Sequence, residues 1–309
     1  MSDPHLLALA RLRTYRRGET RAPHKPLLLL VAIGERLRGH PTLSLDEVEA
    51  RLTPLLVAFA PPVRGRPEPH LPFWHLGSDD GLWQVEGADA LPRTRKGFPE
   101  LAALRAARGS LADGFASRLE SDPGFATRAI TLLLERHFPA TLHPAILSLA
   151  GLDALAIDAA DEDRGDYLPG VRGRARDAAF RHEVLDAYGH RCAVSDFAAK
   201  LCGVPWGCEA AHVHWHAFAG PDRVDNGLCL EPTLHRLFDA GAWTLDDERR
   251  IVVSATFEGN DEAAGRLLAR HGAPLAAPVS GRPVALDCIR WHREPTLGGV
   301  FRQPPRPPP

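Results

Sequence analysis

The pattern of apolar and polar residues predicts a mainly helical first half of the chain. The run from Pro26 to Ile33 is apolar enough for a helix buried on most sides, and a proline fits the first turn of such a helix. Ser44 and Glu47 form a capping-box pattern ahead of the amphipathic segment LDEVEARLTPLLVAFA. The aromatic-rich runs FWHL and LWQVE, joined by GSDDG, predict a β-hairpin. From there to about Leu149 the pattern predicts helices.

The second half predicts short strands mixed with helices. DAAFRHEVLDAY predicts a helix that stops at Gly189. Within residues 209–241, the polar turn AGPDRVDNG separates two runs that predict strands, and TLHRLFDAG predicts a helix start. His212, His214 and His216 alternate along the first run, so one strand would turn all three to the same side. WTLDDERRIVVS predicts a strand pair, and NDEAAGRLLARHG predicts a helix.

These elements predict an α+β protein of two domains. The chain has 309 residues, of which 44% are apolar, and this is enough to bury a core in each domain. Residues 151–173 turn acidic and then glycine-rich, which predicts an interdomain linker. We therefore expect a mainly helical first domain with a small β-hairpin or sheet over residues 1–150. A second domain is expected over residues 174–303, followed by a flexible proline-rich tail over residues 304–309.

The net charge does not mark the whole chain as a nucleic-acid binder. It is −2, so any contact with DNA must come from local basic patches. One patch is the basic N-terminal segment, which brings His24 and Lys25 to the start of the predicted helix, where backbone N–H groups favour a phosphate. A second patch is the loop LPRTRKGFP, which concentrates Arg93, Arg95 and Lys96.

Neither a membrane span nor a disulfide framework is expected. No apolar run is long enough to cross a bilayer and the N-terminus lacks a signal-peptide pattern, so a cytoplasmic protein without a membrane partner is predicted. The five cysteines are odd in number and include no CxxC pair, which argues against disulfides and against a structural zinc site. We interpret them as small apolar core residues.

Polar residues within 209–241 are of the types that hydrolysis of a phosphodiester requires. His212, Asn226 and His235 follow one another across the predicted strand, turn and helix. The reaction needs a base to deprotonate water and a divalent cation to neutralise charge on the phosphorus oxygens and the leaving oxygen. Asp239 lies four residues after His235, so on a helix it shares that face and could add an oxygen ligand.

These residues resemble the HNH endonuclease motif, the ββα-metal fold. The matching segments are Ala210-Ala211-His212-Val213, Gly220-Pro221-Asp222, Asn226-Gly227-Leu228, His235 and Phe238-Asp239-Ala240-Gly241. The resemblance implies that His212 is the general base and that Asn226 holds the loop and polarises the metal site. It also implies that His235 ligates a divalent ion, Mg²⁺ or Mn²⁺, with Asn226 and Asp239 as the other expected ligands. Ala211 departs from the pattern, because many HNH enzymes carry an Asp or His ligand there.

Short motifs of the first half occur in a particular order. They are His24-Lys25-Pro26, Pro72-Phe73-Trp74-His75-Leu76, Asp122-Pro123, Leu133-Leu134-Glu135, Phe138-Pro139 and His143. In this order they resemble the sulfur-binding domain of certain type IV restriction enzymes. Those domains bind DNA whose backbone carries a phosphorothioate, in which sulfur replaces one non-bridging oxygen.

The second resemblance implies a set of DNA contacts. The expected sulfur contacts are Leu71, Pro72 and His75. The expected phosphate and base contacts are His24, Lys25 and one of Arg93, Arg95 or Lys96. Sulfur is more weakly hydrated than oxygen, so a shallow apolar cup prefers it, whereas oxygen pays a desolvation cost on entering. Some relatives have an aromatic residue where this chain has Leu71, which changes the expected shape of the cup.

Together the two resemblances predict a modification-dependent endonuclease acting on double-stranded DNA that carries phosphorothioate. Because a duplex has two strands to cut, a homodimer or two cooperating molecules are expected. Two alternatives stay open at this point. One is a non-cleaving reader of phosphorothioate DNA, which Ala211 favours. The other is an HNH nuclease that reads a methylated base, which requires an exposed aromatic cage containing Trp74 or Trp83.

Overall fold

The computed structural model describes residues 3–14, 16–17, 20–61, 65–79, 81–152, 173–259 and 262–303. The predicted linker 151–173 lies almost entirely outside the described residues, and the predicted tail 304–309 lies wholly outside them. The chain divides into two compact units, the first mainly before the linker and the second mainly after it. With 49% helix and 13% strand in small sheets, the predicted α+β class is confirmed.

The first unit is built mainly from helices. Its helices are α1 (Pro4–Ala10), α2 (His24–Leu37), α3 (Leu45–Phe59), α4 (His70–His75), α5 (Leu101–Ala106), α6 (Asp113–Ser121), α7 (Pro123–His137) and α8 (His143–Leu149). Its strands are β1 (Thr42–Ser44), β2 (Trp83–Val85) and β3 (Arg108–Leu111), and 3₁₀ turns cover Leu76–Ser78, Ala88–Ala90 and Ala140–Leu142. A further two-residue pairing joins Arg16–Arg17 to Thr20–Arg21, and these residues group with the second unit.

Helix α2 runs through the core of the first unit. Residues 27–30 and Ile33 have no exposed surface, so the predicted buried helix is confirmed. The helix begins at His24, two residues ahead of Pro26. Helix α3 starts with the predicted capping box, in which the Ser44 hydroxyl accepts from the Glu47 N–H and the Glu47 carboxylate accepts from the Ser44 N–H.

The predicted hairpin of FWHL with LWQVE is wrong in its first half. FWHL lies in helix α4 and the 3₁₀ turn after it, and only residues 83–85 form a strand. That strand pairs antiparallel with β3, which in turn pairs with β1. The helix is fixed by tertiary packing, because the Trp83 indole N–H donates to the Phe73 carbonyl at 2.9 Å and Phe73 is fully buried.

The second unit combines short antiparallel pairs with helices. Its helices are α9 (Gly173–Ala187), α10 (Pro232–Asp239), α11 (Glu262–Leu268) and α12 (Leu286–Arg293). Its strands are β4 (Ala199–Leu201), β5 (Val204–Trp206), β6 (Glu209–His212), β7 (Gly227–Leu230), β8 (Trp243–Leu245) and β9 (Ile251–Val253). Turns of 3₁₀ helix cover His216–Phe218, Val224–Asn226 and Pro295–Leu297.

Strands β6 and β7 with helix α10 form the predicted ββα unit. In the antiparallel register Glu209 faces Leu230 and His212 faces Gly227. Ala211 and Leu228, which pair across this hairpin, are fully buried in the core of the second unit. Strand β6 ends at His212, so the prediction that His214 and His216 continue one strand face is wrong.

His292 closes the core of the second unit. It is fully buried, and its ring stacks on Phe238 with centroids 3.8 Å apart. One ring nitrogen donates to the Phe238 carbonyl at 3.1 Å, and the other lies 2.8 Å from the Thr244 hydroxyl. Burial lowers the pKa of His292 to about 4, so the ring is neutral and structural at neutral pH.

The hairpin of β4 and β5 exposes an apolar face. In its register Ala199 pairs with Trp206 and Leu201 pairs with Val204, so these four side chains share one side. Leu201, Val204 and Trp206 are 63%, 62% and 66% exposed. Cys202 is exposed at the hairpin turn, unlike the other four cysteines, which are buried. Within the described part of the chain, no helix is both long and apolar enough to span a bilayer.

Candidate nuclease and DNA-recognition sites

His212 is placed at the end of β6, where the strand leaves the hairpin. Its ring stacks on Phe180 of α9, with centroids 3.7 Å apart and planes 13° apart. Its Nε2 lies 3.0 Å from Oδ1 of Asp222, and its side chain keeps 16% of its surface exposed. The imidazole of His212, the predicted base, is therefore held by Phe180 on one face and by Asp222 on one edge, and part of it still reaches solvent.

Asn226 is entirely buried and uses its whole amide for hydrogen bonds to the backbone. Its Oδ1 accepts from the His214 N–H at 2.8 Å. Its Nδ2 donates to the carbonyls of His214 and Pro221 at 2.9 and 2.8 Å. The loop-holding role predicted for Asn226 agrees with these contacts. The predicted metal-ligand role does not fit them, because the acceptor oxygen is engaged and has no exposed surface.

His235 lies between two carboxylates. Its Nδ1 is 2.8 Å from Glu209 Oε2, and its Nε2 is 3.3 Å from Asp239 Oδ2. Asp239 is 2% exposed and also accepts from the indole N–H of Trp215 at 3.0 Å. Burial alone would lower the pKa of His235, but the hydrogen bonds to Asp239 and Glu209 outweigh it and raise that pKa to about 9.

HNH nuclease domains generally use a divalent metal ion. Imidazole and carboxylate are suitable donors for such an ion, but here Glu209 and Asp239 approach opposite nitrogens of His235. Among the residues that the structure describes, no three His, Cys, Asp or Glu side chains gather as a metal site. Within the predicted set, His235 and Asp239 contact each other, whereas the amide oxygen of Asn226 accepts from the His214 N–H. Ala211 faces the core without any exposed surface.

Three side chains of this site were not assigned a role from the sequence. Asp222 belongs to the Gly-Pro-Asp motif, yet only the fold reveals its contact with His212. Glu209 meets His235 because β6 packs on α10, twenty-six residues further along the chain. Phe180 comes from the helix before the motif and supplies the stacking surface. No local spacing rule joins these partners, so the sequence pattern could not have identified them.

In the first unit, the N-terminus of α2 carries the predicted phosphate contacts. Lys25 forms an ion pair with Asp79, whose side chain is 6% exposed. The other Asp79 oxygen accepts from the backbone N–H and the Nε of Arg13, at 3.1 and 3.4 Å. The Arg13 side chain is 70% exposed. The buried Asp79 carboxylate therefore holds the cationic side chains of Lys25 and Arg13 close together. Arg13 was not among the predicted DNA contacts.

The predicted sulfur contacts lie on helix α4. Pro72 is buried, Leu71 is half-buried like His70 and Trp74, and His75 is exposed. The His75 ring lies 5.7 Å from the ring of Phe98, centroid to centroid. Phe98 belongs to the predicted basic loop, and its ring also meets those of His70 and Trp74 at 5.9 and 6.3 Å.

The basic loop is thus packed against helix α4. Arg93 lies over the Trp74 ring, with its guanidinium carbon 5.1 Å from the centroid. Arg95 and Lys96 are exposed beyond it. The structure brings the loop and helix α4 together through aromatic contacts, and it brings His75 within electrostatic reach of Lys25.

Two histidines of this region, His24 and His75, are biased toward the neutral form. Burial lowers the pKa of His24, and the charge of Glu68 only partly offsets it. Burial also lowers the pKa of His75, and the positive charges of Lys25 and His70 add to that effect. The Nδ1 atom of His24 is buried without a hydrogen-bond partner in the described structure.

The aromatic residues needed by the methylated-base alternative are not displayed as a cage. Trp83 is 3% exposed, and its indole N–H is bound to the Phe73 carbonyl. Trp74 is half-buried and is covered by Arg93 and Phe98. A flipped base needs an open stacking pocket, which these two side chains do not form in this structure.

Several solved structures with similar regions are of sulfur-binding domains or of a phosphorothioation-dependent enzyme. The sulfur-binding domain of ScoMcrA complexed with phosphorothioated DNA is 30% identical, with 48% of this chain and 96% of that chain covered and a TM-score of 0.42. The sulfur-binding domain of SprMcrA complexed with phosphorothioated DNA is 25% identical, with 50% and 96% covered and a TM-score of 0.40. The type IV phosphorothioation-dependent restriction endonuclease ScoMcrA is 29% identical, with 48% of this chain covered and a TM-score of 0.40. The match spans only 32% of that enzyme's own length.

Comparison with protein families assigns both units. No curated protein matches the chain. The family described as ScoMcrA-like, DNA sulfur-binding domain matches residues 3–155, and the family described as HNH endonuclease matches residues 192–246. The two matches include the α2 and α4 region and the hairpin that carries His212. Residues 3–155 of this chain therefore belong to the ScoMcrA-like DNA sulfur-binding domain family, and an HNH endonuclease domain follows them.

Proposed function

We propose that this protein is a modification-dependent DNA endonuclease. Its sulfur-binding domain recognises double-stranded DNA that carries a phosphorothioate, and its HNH domain hydrolyses phosphodiester bonds nearby. The observation that carries the proposal is the solvent-reaching His212, stacked on Phe180 and paired with Asp222, in the same chain as a sulfur-binding domain. A paired imidazole of this kind suits a general base for water.

The sulfur-binding step rests on the neighbouring surfaces of α2 and α4. Leu71 and His75 offer a weakly polar surface, while Lys25 and Arg13 supply positive charge beside it. Phosphate contacts give affinity for any DNA, whereas a site that desolvates the modified oxygen position favours sulfur. The predicted contacts of His24, Pro72 and the loop residues Arg93, Arg95 and Lys96 stay part of this proposal.

The test of cleavage compares the wild-type protein with His212→Ala on plasmid DNA that carries phosphorothioates. We expect the variant to lose about a hundred- to ten-thousand-fold in cleavage rate, the usual contribution of a general base. Binding to the same DNA is expected to stay at the wild-type level, since His212 lies outside the sulfur-binding domain. Cleavage by the variant at the wild-type rate would remove His212 from its assigned role.

The test of recognition uses two duplexes that differ by one sulfur atom. We expect tighter binding to the phosphorothioate duplex at every salt concentration, because counterion release is the same for both. Equal affinity for the two duplexes would overturn the phosphorothioate reading. Tighter binding to a methylated duplex of the same sequence would favour the methylated-base alternative instead.

A second candidate function is a reader that binds phosphorothioate DNA without cutting it. One observation favours this candidate, the buried Ala211 at a position where many HNH enzymes carry an Asp or His ligand. Incubation of modified plasmid with protein and Mn²⁺ separates the two functions. A reader shifts the DNA on a gel and leaves it intact, whereas a nuclease nicks or linearises it.

A requirement for Mg²⁺ or Mn²⁺ and the action of two copies are also part of the proposal. Cleavage is expected to stop in EDTA and to return when either ion is added in excess. Because both strands of a duplex must be cut, double-strand cleavage should depend more steeply on protein concentration than nicking does. Identical concentration dependence for nicking and linearisation would exclude a dimer that assembles within the tested concentration range.

A further inference from the structure

Asp222 is the side chain that holds the edge of the His212 ring. Its Oδ1 lies 3.0 Å from His212 Nε2, and its carboxylate is 24% exposed. The opposite restraint is Phe180, which stacks on the ring at 3.7 Å. One contact fixes the plane of the imidazole and the other fixes its rotation within that plane. Together they define the orientation of the ring.

The loop that carries Asp222 is itself anchored to the ββα unit. Gly220 donates its N–H to the Trp215 carbonyl at 3.0 Å, and any Cβ at this position would collide with the His214 carbonyl. The Pro221 carbonyl accepts from Nδ2 of the buried Asn226 at 2.8 Å. Asn226 therefore fixes the backbone next to Asp222.

We propose that Asp222 is a positioning residue for His212, and that Asn226 acts on His212 through Pro221 and Asp222. The inference rests on the proposed nuclease function, in which His212 is the base. A carboxylate only accepts hydrogen bonds, so the contact assigns the ring proton of neutral His212 to Nε2 and the lone pair to Nδ1. When His212 takes up a proton, the imidazolium that forms lies beside the negative charge of Asp222 and is stabilised.

A competing partner for Asp222 is His216. Its Nε2 lies 3.9 Å from Asp222 Oδ2, and its side chain is 64% exposed. That separation is too long for a hydrogen bond, and an exposed pair of this kind contributes little to stability. Asp222 is therefore aimed at His212 rather than at His216.

Asp222→Asn tests the proposal with little change in shape, and Asp225→Asn is its matched control. Asp225 lies in the same loop but pairs with Arg223 at 2.8 Å instead of with a histidine. We expect Asp222→Asn to lower the single-turnover cleavage rate on the order of 10- to 100-fold, as loss of a partner that orients a functional histidine does. Affinity for phosphorothioate DNA and the unfolding temperature should stay close to wild type, and Asp225→Asn should cleave normally.

Nitrogen-15 NMR of the histidine rings supplies a readout that does not depend on cleavage. The His212 signals are assigned in the full chain by their loss in His212→Gln. We expect the Nε2-protonated tautomer in the wild type and in Asp225→Asn, and a changed tautomer ratio in Asp222→Asn. An unchanged ratio together with full cleavage by Asp222→Asn would overturn the positioning role. Failure of the wild-type protein to cleave would instead overturn the proposed function, while the tautomer result would still test the contact.

Discussion

The two units of the chain place histidine in opposite electrostatic surroundings. In the sulfur-binding domain, burial and the neighbouring charges of Lys25 and His70 lower the pKa of His75. In the HNH domain, the hydrogen bonds of His235 to Asp239 and Glu209 overcome burial and raise its pKa to about 9. The same side chain is thus held neutral in one unit and charged in the other.

The difference agrees with the proposed roles of the two sites. A neutral imidazole adds no charge and little hydration to a surface that is to receive a weakly hydrated sulfur atom. A site that moves protons near a phosphodiester needs imidazoles whose charged form is stabilised, and carboxylate partners supply that stabilisation. Asp79 in the first unit is paired with Lys25 and Arg13 instead of with His24 or His75.

The largest expected effect comes from removing Asp239, because it breaks a buried charge pair. Asp239→Ala leaves the charged His235 with one partner and leaves the Trp215 indole N–H without its acceptor. We expect a loss of about 3 to 5 kcal/mol in the free energy of unfolding of the second unit. Calorimetry of the full chain measures it, with Glu209→Gln as the control, since Glu209 is 36% exposed and its pair should matter less.

The next effect is a pH dependence of stability caused by His292. Its pKa is about 4 in the folded protein and returns to about 6.5 on unfolding, so the unfolded state binds more protons between these values. The stability it contributes is therefore complete above about pH 6.5 and is lost as the pH falls toward 4. The full change is about 3 kcal/mol. Unfolding of the wild type should show this slope from pH 6.5 to 4, and His292→Gln should show a flatter one.

A smaller effect is expected when the charge of Lys25 is removed, and it distinguishes phosphate contact from sulfur recognition in the first unit. Lys25→Gln should weaken binding to modified and unmodified DNA alike, by about tenfold, and lower the salt slope by about one. Fluorescence titrations over a range of salt concentrations measure both quantities. If Lys25→Gln lowered the preference for sulfur and left the salt slope unchanged, Lys25 would be a sulfur contact rather than a phosphate contact.

The smallest effect is expected from Leu71→Ala. Loss of this half-buried side chain should reduce the preference for the phosphorothioate duplex by a few-fold, roughly 1 kcal/mol, and leave binding to plain DNA unchanged. The same paired titrations measure it. Equal losses on both duplexes would mean that Leu71 supports the fold rather than the sulfur.

The nuclease unit could be predicted further than the recognition unit because its elements are local. His212, Asn226 and His235 fall on a strand, a turn and a helix that adjoin in the chain, so spacing alone placed them. The helix over Phe73 and Trp74 could not be inferred, since a short aromatic run fits a strand or a buried helix equally well. Its state depends on Trp83 bonding to the Phe73 carbonyl, which is a tertiary contact.

The hydrogen-bond partners of the site residues could not be predicted from the sequence either. A motif fixes which residues occur at which spacing, but hydrogen bonds between loops depend on how the elements pack. Asp222 reaches His212, and Glu209 reaches His235, only because the strands and the helix are assembled. The buried hydrogen bonds of Asn226, which leave its amide oxygen on the His214 N–H, are likewise a tertiary feature that its place in the motif does not reveal.

The bare apolar side of the β4–β5 hairpin makes Trp206 an optical reporter. At 66% exposure its indole emits in water, whereas Trp83, Trp215, Trp243 and Trp291 are at most 4% exposed. Acrylamide should therefore quench the emission of Trp206 most strongly, and a Trp74→Phe background removes the contribution of the half-buried Trp74. A decrease in quenching as the protein is concentrated would indicate that a second copy covers the hairpin. A decrease when DNA is added would indicate that DNA covers it. Neither measurement needs a label on the chain.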